Sequence, residues 1–274
     1  MEDLEITTSV TGQTMVMYEQ EKAQIDSMVA TANAFPRNLR RVTENAIAVV
    51  TMSQEGAATC SYSVPRGGKP ITGPSVHLAR VLVQQYKNLR VEARVVDVDA
   101  KHVTAEAVCY DIENNTAVRV QVKRSIVGKL GRFNEDMITV TGNAACAIAY
   151  RNAVLSVIPK SITDLVYKAA MQTVTGDVSD KNKLIARRKQ IVDGLKDTFS
   201  VSEPEILKSV GKASLDHIGQ EEIMVLIGFG QAIKDGDTTI ESVFKGVKDG
   251  GDKAYDSLFD AADKKDKKDK NKEG

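Results

Sequence analysis

Residues 90–127, RVEARVVDVDAKHVTAEAVCYDIENNTAVRVQVKRSIV, contain three runs in which apolar and polar side chains alternate. Alternation with a period of two is typical of a strand that has one buried face. In the third run three valines share one face, and three polar residues share the other: Arg119, Gln121 and Lys123. The polar turn at Asn114-Asn115, between the second and third runs, indicates a hairpin. These patterns predict an antiparallel sheet with one face on the core and the other face polar and partly basic.

One helix is predicted before these three strands in the sequence, and another is predicted after them. Apolar residues recur at helical spacing through residues 74–89, with Pro74 at the first helical position after an N-cap at Thr72 or Gly73. Residues 139–158 are predicted to form a second helix of mostly small residues, and the segment TCSYSV is a further strand candidate. A sheet of three to four antiparallel strands packed on helices, followed by a small helical domain, places the chain in the α+β class.

Composition divides the chain into five predicted segments. They are an N-terminal helical segment (1–54), an α+β core (55–175), a connecting helix (176–200), a small helical domain (201–245) and a charged tail (246–274). The small domain begins at a capping box formed by Ser202 and Glu205, and the tail has too little apolar content to fold. Residues 13–33 are expected to form an amphipathic helix. Its apolar face includes Met17, Ile25, Met28 and Val29.

The composition argues against several functional classes. Three cysteines without a C-x-x-C motif and three scattered histidines predict neither a disulfide framework nor a metal site, and they fit a reducing cytoplasm. No apolar run is long enough to cross a membrane. The formal net charge is zero, but residues 1–36 carry −5, residues 37–160 carry +7 and the remainder carries −2. An anionic partner is therefore expected at the central region.

The stretch VPRGGKPITGPSVHLAR, residues 64–80, has the glycines and basic residues of a phosphate-binding loop. Pro74 stands where a Walker A motif has its lysine, and proline also lacks a backbone N–H donor. We therefore expect no nucleotide hydrolysis and no cofactor at this stretch. Arg66 and Lys69 are instead expected on an exposed loop before a helix, where they would form a positive lip for a polyanion.

Arginines also gather near the predicted start of an earlier helix. Arg37, Arg40 and Arg41 would lie in its first turn, with Pro36 at its start, where the helix dipole disfavours positive charge. A bound polyanion would offset this placement, and so would a solvated face paired with Glu44.

Two more groups of polar residues are candidates for binding. Arg151 and Asn152 interrupt the apolar run of the small-residue helix near its end, and the charge of Arg151 requires solvent, an acidic partner or a ligand. Lys129 and Arg132 lie in the loop GKLGRFNED that precedes this helix.

Other functions remain as alternatives. Asp97 and Asp99 on one predicted strand, and Asp111 and Glu113 on the next, have a spacing that would hold Mg²⁺ for a nuclease or form a solvated sheet end. A hot-dog thioesterase, which also wraps a sheet around a helix, is a second enzyme class. A viral or cellular assembly protein without a role on DNA is a third alternative.

The order of strand, helix, three antiparallel strands and long small-residue helix resembles the single-strand annealing proteins of phage recombination. These are the RecT, Redβ and ERF group, together with the eukaryotic annealing mediator. The resemblance covers about residues 55–170 and is carried by GPSVHLARVLVQQYKNLRVEARV and GNAACAIAYRNAVLSVIP. The later stretch DHIGQEEIMVLIGFGQAIKDGDTTIESVF is similar to the small helical domain that follows the core in such proteins.

This resemblance implies an activity, partners and a set of binding residues. The activity is ATP-independent binding of single-stranded DNA and annealing of complementary strands in recombination and repair, by an oligomeric ring or filament and without catalysis or cofactor. Residues 201–245 would bind a host single-strand binding protein or a partner exonuclease, and a phage-encoded chain would act in the bacterial cytoplasm. The DNA-binding residues that the resemblance implies are Arg66, Lys69, Arg151, Asn152, Lys123, Arg124, Lys129 and Arg132. The arginines in the first turn of the earlier helix, Arg37, Arg40 and Arg41, are further candidates from the residue pattern.

Overall fold

The computed structural model describes residues 2–66, 69–128, 131–176 and 181–245. Within these ranges the side chains of residues 15–65, 70–128, 131–176 and 181–245 are described. Three predictions therefore fall outside the described part: the side chains of Arg66 and Lys69, the residue Lys129, and the charged tail 246–274.

The secondary structure alternates between helices and short antiparallel sheets. The first elements are α1 Glu2–Ala34, α2 Leu39–Val50, α3 Gln54–Thr59, β1 Ser61–Arg66, β2 Lys69–Pro74, α4 Val76–Tyr86, β3 Leu89–Val98, β4 His102–Asp111 and β5 Thr116–Ser125. They are followed by β6 Val127–Gly128, β7 Gly131–Arg132, α5 Glu135–Val157, α6 Lys160–Thr175, α7 Lys181–Phe199, α8 Glu203–Ser209, a 3-10 turn Leu215–His217, α9 Gln220–Lys234 and α10 Ile240–Phe244. Helices packed on antiparallel strands confirm the predicted α+β class.

The central sheet consists of β3, β4 and β5 in that order, at the positions where the alternation predicts strands. Helix α5 covers one of its faces. The buried residues that meet in this layer are small: Ala105, Ala107, Cys109, Ala145 and Ala149. A Cβ added at Gly142 would lie 3.1 Å from Cγ2 of Val95, so α5 approaches the sheet closely. Small residues in this helix therefore reflect its distance from the sheet.

The stretch predicted as an exposed Gly/Pro loop forms a hairpin instead. Strands β1 and β2 pair antiparallel, with Arg66 opposite Lys69 next to the tip and Tyr62 opposite Gly73 near the base. Ser75 is the N-cap of α4, because its Oγ accepts hydrogen bonds from the backbone N–H groups of His77 and Leu78, the second and third residues of the helix. The predicted N-cap at Thr72 or Gly73 and the predicted helical Pro74 are therefore wrong. Proline is as compatible with the end of a strand as with the first turn of a helix.

The two N-terminal helices also differ from their predictions. Helix α2 begins at Leu39, and Asn38 caps it by accepting a hydrogen bond from the backbone N–H of Arg41. Arg37 therefore precedes the helix rather than lying in its first turn. Helix α1 extends well beyond residues 13–33, and much of its predicted apolar face is exposed. The exposed members of that face are Met17, Ile25 and Val29.

Two main hydrophobic clusters lie in the described residues, beside a small third one formed by Val103, Ile126 and Ile138. The larger one contains buried residues of α2, α3, α4, β4, α5 and α6, and the smaller one contains residues of α7 to α10. Ile227 of α9 packs against both clusters. Gly228 brings α9 onto β1, because an added Cβ there would lie 2.9 Å from the backbone nitrogen of Ser63. The five-segment division stays a prediction, although α2 shares a cluster with the core and α7 shares one with the small helical unit.

Within the described ranges no helix has both the length and the apolar character needed to cross a bilayer.

Candidate nucleic-acid interface

Arg151 lies near the end of α5 and is held by an aromatic ring and an acid. Its guanidinium carbon is 4.2 Å from the ring centroid of Tyr62 in β1, and its Nη1 is 3.4 Å from Oδ2 of Asp237. The side chains of Arg151 and Asp237 are only 10% and 13% exposed. The Nε of Arg151 also donates a hydrogen bond to Oδ1 of Asn152. The prediction that Arg151 is open to DNA is therefore wrong for this conformation, and its acidic partner is Asp237.

Asp237 belongs to a short turn that follows α9 and carries a second acid. Asp235 is the C-cap of α9, and its Oδ1 lies 3.1 Å from Nε2 of His77 in α4. Gly236 between the two acids has φ of 73°, a backbone conformation that glycine adopts without strain. We call Asp235, Gly236 and Asp237 the acidic turn. Its two carboxylates face two different cationic or titratable groups of the core.

The position of Asp237 brings a second arginine into the site. Burial raises the pKa of Asp237, while the charges of Arg151 and Arg124 lower it, and the pKa remains above its ordinary value. Arg124, at the end of β5, is therefore close enough to act on the same carboxylate. The positive charges of two arginines therefore act on one buried carboxylate.

Arg80 adds an exposed cation beside this cluster. It lies on α4, one turn after His77, and its side chain is exposed. Burial raises the pKa of Tyr150, the neighbour of Arg151, and the charge of Arg80 opposes that shift. We call His77, Arg80, Arg124 and Arg151 the basic cluster.

The hairpin extends away from the basic cluster. Tyr62, on which Arg151 stacks, is four residues from Arg66 in β1, and Arg66 pairs with Lys69 of β2. At about 3.3 Å per residue the end of β1 lies ~13 Å from Tyr62, on which the arginine stacks. The other side of the hairpin is buried, since Ser61 Oγ bonds to Tyr167 Oη at 2.9 Å and Ser63 lies against α9.

Arg37 is a structural residue, and its predicted role in binding DNA is wrong in this structure. Its Nη1 and Nη2 donate to the carboxylate of Asp111 at 2.6 and 2.5 Å, and its guanidinium lies 4.1 Å from the ring centroid of Tyr86. Its backbone N–H donates to Oε2 of Glu113 at 3.1 Å. Only 4% of the Arg37 side chain is exposed. The guanidinium is therefore buried among Asp111, Glu113 and Tyr86.

The same contacts use one of the two acid pairs proposed for a metal. Burial raises the pKa of Asp111, but hydrogen bonds from Arg37 and Asn114 outweigh it and leave the pKa below its ordinary value. Among the residues that the structure describes, no group of three or more potential ligands could hold a metal ion. These observations do not support the nuclease alternative.

Asp99 of the other acid pair closes the turn between β3 and β4. Its Oδ1 accepts from the backbone N–H groups of Lys101 and His102 at 2.6 and 2.8 Å, and these bonds lower its pKa to about 2. Strand β3 ends at Val98, so Asp97 lies in the strand and Asp99 in the turn beyond it. Asp97 and Asp99 therefore do not share a regular strand face.

Other predicted cations lie on different surfaces. Arg40 and Arg41 are exposed on α2, and Arg40 pairs with Glu44 at 3.0 Å, which agrees with the solvated face. Arg132 is exposed in β7. Lys123 is 56% exposed and lies 3.5 Å from Asp99. Because Lys123 and Arg124 are neighbours in β5, they lie on opposite faces of the sheet.

The sheet face opposite α5 is polar, as predicted, but its charges are largely paired. Glu106 is buried at its centre and accepts from Arg119 at 2.5 Å and from Gln121 at 3.0 Å, with Arg94 at 4.0 Å. Arg90 and Glu92 form a further pair at 2.5 Å. This face is therefore a weaker anion-binding surface than its sequence suggests.

The structure thus joins some of the predicted cations and separates others. Arg124 and Arg151 meet at the basic cluster, with the hairpin that carries Arg66 and Lys69 beside them. Residues without a predicted role also belong there: Tyr62, His77, Arg80, Asp235 and Asp237. The sequence offers one signal for them, the pair of acids around a glycine in KDGDTT, which marks a tight polar turn.

Comparison with known proteins leaves the family open. No family model matches the chain, and no curated protein and no solved structure matches it. The likeness to the single-strand annealing proteins therefore stays a prediction from the residues.

Proposed function

We propose that the chain binds single-stranded DNA without a nucleotide cofactor and anneals complementary strands, acting as an oligomer. The observation that supports this most directly is the basic cluster. Arg151, near the end of a helix, stacks on the ring of Tyr62, and Arg124, at the end of a strand, acts on the carboxylate that pairs with Arg151. Arginines neutralise phosphates, which gives affinity for single strands without reading their sequence.

The dimensions of the surface agree with a short stretch of single strand. The distance of ~13 Å along β1, from Tyr62 to the end of the strand, leaves room for a short run of phosphates. Arg66 and Lys69 stand at the far end of that path, and Arg80 stands beside its origin. A strand held by its phosphates keeps its bases free to pair, which is the requirement of annealing.

The test is annealing of two complementary dye-labelled oligonucleotides, without ATP, across a series of salt concentrations. We expect wild type to accelerate annealing, and the acceleration to weaken as salt rises. Arg66→Ala/Lys69→Ala and Arg124→Ala should each reduce it. Lys123→Ala is the matched control, because it removes the same charge from the same strand but from the opposite face of the sheet.

Two outcomes would contradict the proposal. Absence of both acceleration and salt-dependent binding would exclude an annealing function and favour an assembly protein. A loss in Lys123→Ala as large as the loss in Arg124→Ala would place the DNA on the other face of the sheet, away from the basic cluster.

A further inference from the structure

The small helical unit is acidic and packs against the basic part of the chain. Residues 201–245 contain eight Asp and Glu against four Lys and Arg, whereas residues 37–160 carry a net charge of +7. Helix α9 lies on the hairpin, where Gly228 allows contact with the backbone of Ser63. This packing places the acidic turn directly over part of the basic cluster.

The contacts of the acidic turn resemble those that a phosphate backbone would make. Asp235 lies 3.1 Å from His77 in α4, and Asp237 lies 3.4 Å from Arg151 in α5. Two carboxylates separated by one residue therefore contact two separate groups of the core. Carboxylates and phosphates are recognised by arginine through the same charge-assisted hydrogen bonds.

We propose that the acidic turn is an internal competitor of single-stranded DNA, which occupies Arg151 in the free protein and is displaced when a strand binds. This inference rests on the proposed function and adds its regulation. Arg151 keeps its stacking on Tyr62 and exchanges the carboxylate of Asp237 for a phosphate. The site then opens only for a polyanion that supplies several contacts at once.

The structure favours a movement confined to the turn. Gly236 provides the φ of 73° on which the turn depends, and His77 and Asp235 are 35% and 17% exposed. By contrast, Ile227 and Phe229 of α9 belong to the hydrophobic clusters. Displacement of the two carboxylates therefore leaves α9 in place, and only the contacts of Asp235 and Asp237 are exchanged.

The first test measures binding of a fluorescein-labelled oligothymidylate by anisotropy. Asp237→Asn and Asp235→Asn/Asp237→Asn are compared with wild type. The control is Glu221→Gln, which removes one negative charge from an exposed position of the same unit. If the turn is open in a tenth of the free molecules, removal of the competitor tightens binding about tenfold. Binding by Asp237→Asn that equals or falls below that of the control would overturn the inference.

The second test uses wild type alone and does not depend on the folding of a variant. In the free protein the backbone N–H groups of Gly236 and Asp237 donate to carbonyls of α9 at 3.2 and 2.9 Å. We expect saturating oligothymidylate to speed hydrogen exchange at these two amides. Unchanged or slower exchange would show that the turn stays in place and would overturn the inference.

The two proposals fail in different ways. If wild type binds oligothymidylate in a salt-dependent manner while Asp237→Asn matches Glu221→Gln, only the competitor role is lost. If neither wild type nor Asp235→Asn/Asp237→Asn binds at any salt concentration, the proposed function is wrong and the inference falls with it.

Discussion

Arg37 shows how much a single buried arginine contributes to this fold. Its guanidinium is shared between the carboxylate of Asp111 and the ring of Tyr86. We expect Arg37→Ala to lower the free energy of unfolding by about 3–5 kcal/mol, because Asp111 keeps a buried charge without its partner. Urea denaturation measures this difference.

Arg40 is the matched control for that prediction. It is also an arginine paired with an acid, but its side chain is 89% exposed. Arg40→Ala should change the free energy of unfolding by less than about 0.5 kcal/mol, as is usual for exposed pairs of helical neighbours. Similar losses in the two variants would contradict the structural role of Arg37.

The residue types were enough to name the candidate DNA-binding cations, but only the tertiary structure shows which of these side chains are exposed to solvent. Arg37 finds Asp111 74 positions along the chain, and Arg151 finds Asp237 86 positions along the chain. Local pattern contains no information about partners at that distance. For Arg151 the sequence left three options open, and the structure selects the acidic partner.

At the scale of elements, the contact between α9 and β1 depends on one glycine. An added Cβ at Gly228 would meet Oγ of Ser63 and would lie 2.9 Å from its backbone nitrogen, which cannot move away as a flexible side chain could. We expect Gly228→Ala to lower the melting temperature, although alanine favours a helix by about 0.5–1 kcal/mol over glycine.

Gly194 in α7 is the control for Gly228. An added Cβ there would have no atom within 4 Å, so Gly194→Ala should leave the melting temperature unchanged or raise it. Thermal denaturation of the two variants followed by circular dichroism makes the comparison. Stabilisation by Gly228→Ala would show that α9 does not pack tightly on β1.

Strands β3, β4 and β5 and helix α5 were predictable because each has a regular pattern over ten or more residues. Strand β2 was not predictable, since Pro70, Gly73 and Pro74 are residues that strands usually lack. It is an edge strand of a two-stranded sheet, where a missing N–H donor is tolerated. Its pairing with β1 and the packing of α9 on that hairpin are tertiary effects, which override local propensity.

At the scale of the whole molecule, a formal net charge of zero hides opposite charges on different regions. The acidic small unit packs against the basic middle of the chain through α9 and the acidic turn. Overall charge therefore says little about affinity for a polyanion, because the groups near the hairpin determine it.

The salt dependence of binding tests this view of the whole molecule. Five cations lie along the proposed path: Arg66, Lys69, Arg80, Arg124 and Arg151. A single strand releases about 0.7 counterions for each phosphate that a cation neutralises. The slope of log K against log salt should therefore lie between zero and about −3.5. Loss of two cations in Arg66→Ala/Lys69→Ala should reduce its magnitude by about 1.4.

Removal of residues 246–274 is the matched control, because eight lysines there balance eight acidic residues. We expect the shortened chain to keep the slope of wild type, since a segment with interleaved charges of both signs attracts a polyanion only weakly. Binding of oligothymidylate by both proteins, measured by anisotropy over the same salt range, makes the comparison. A slope reduced by the truncation as strongly as by Arg66→Ala/Lys69→Ala would place the phosphate contacts in the tail. Affinity would then come from a charged arm, and the basic cluster would serve the fold alone.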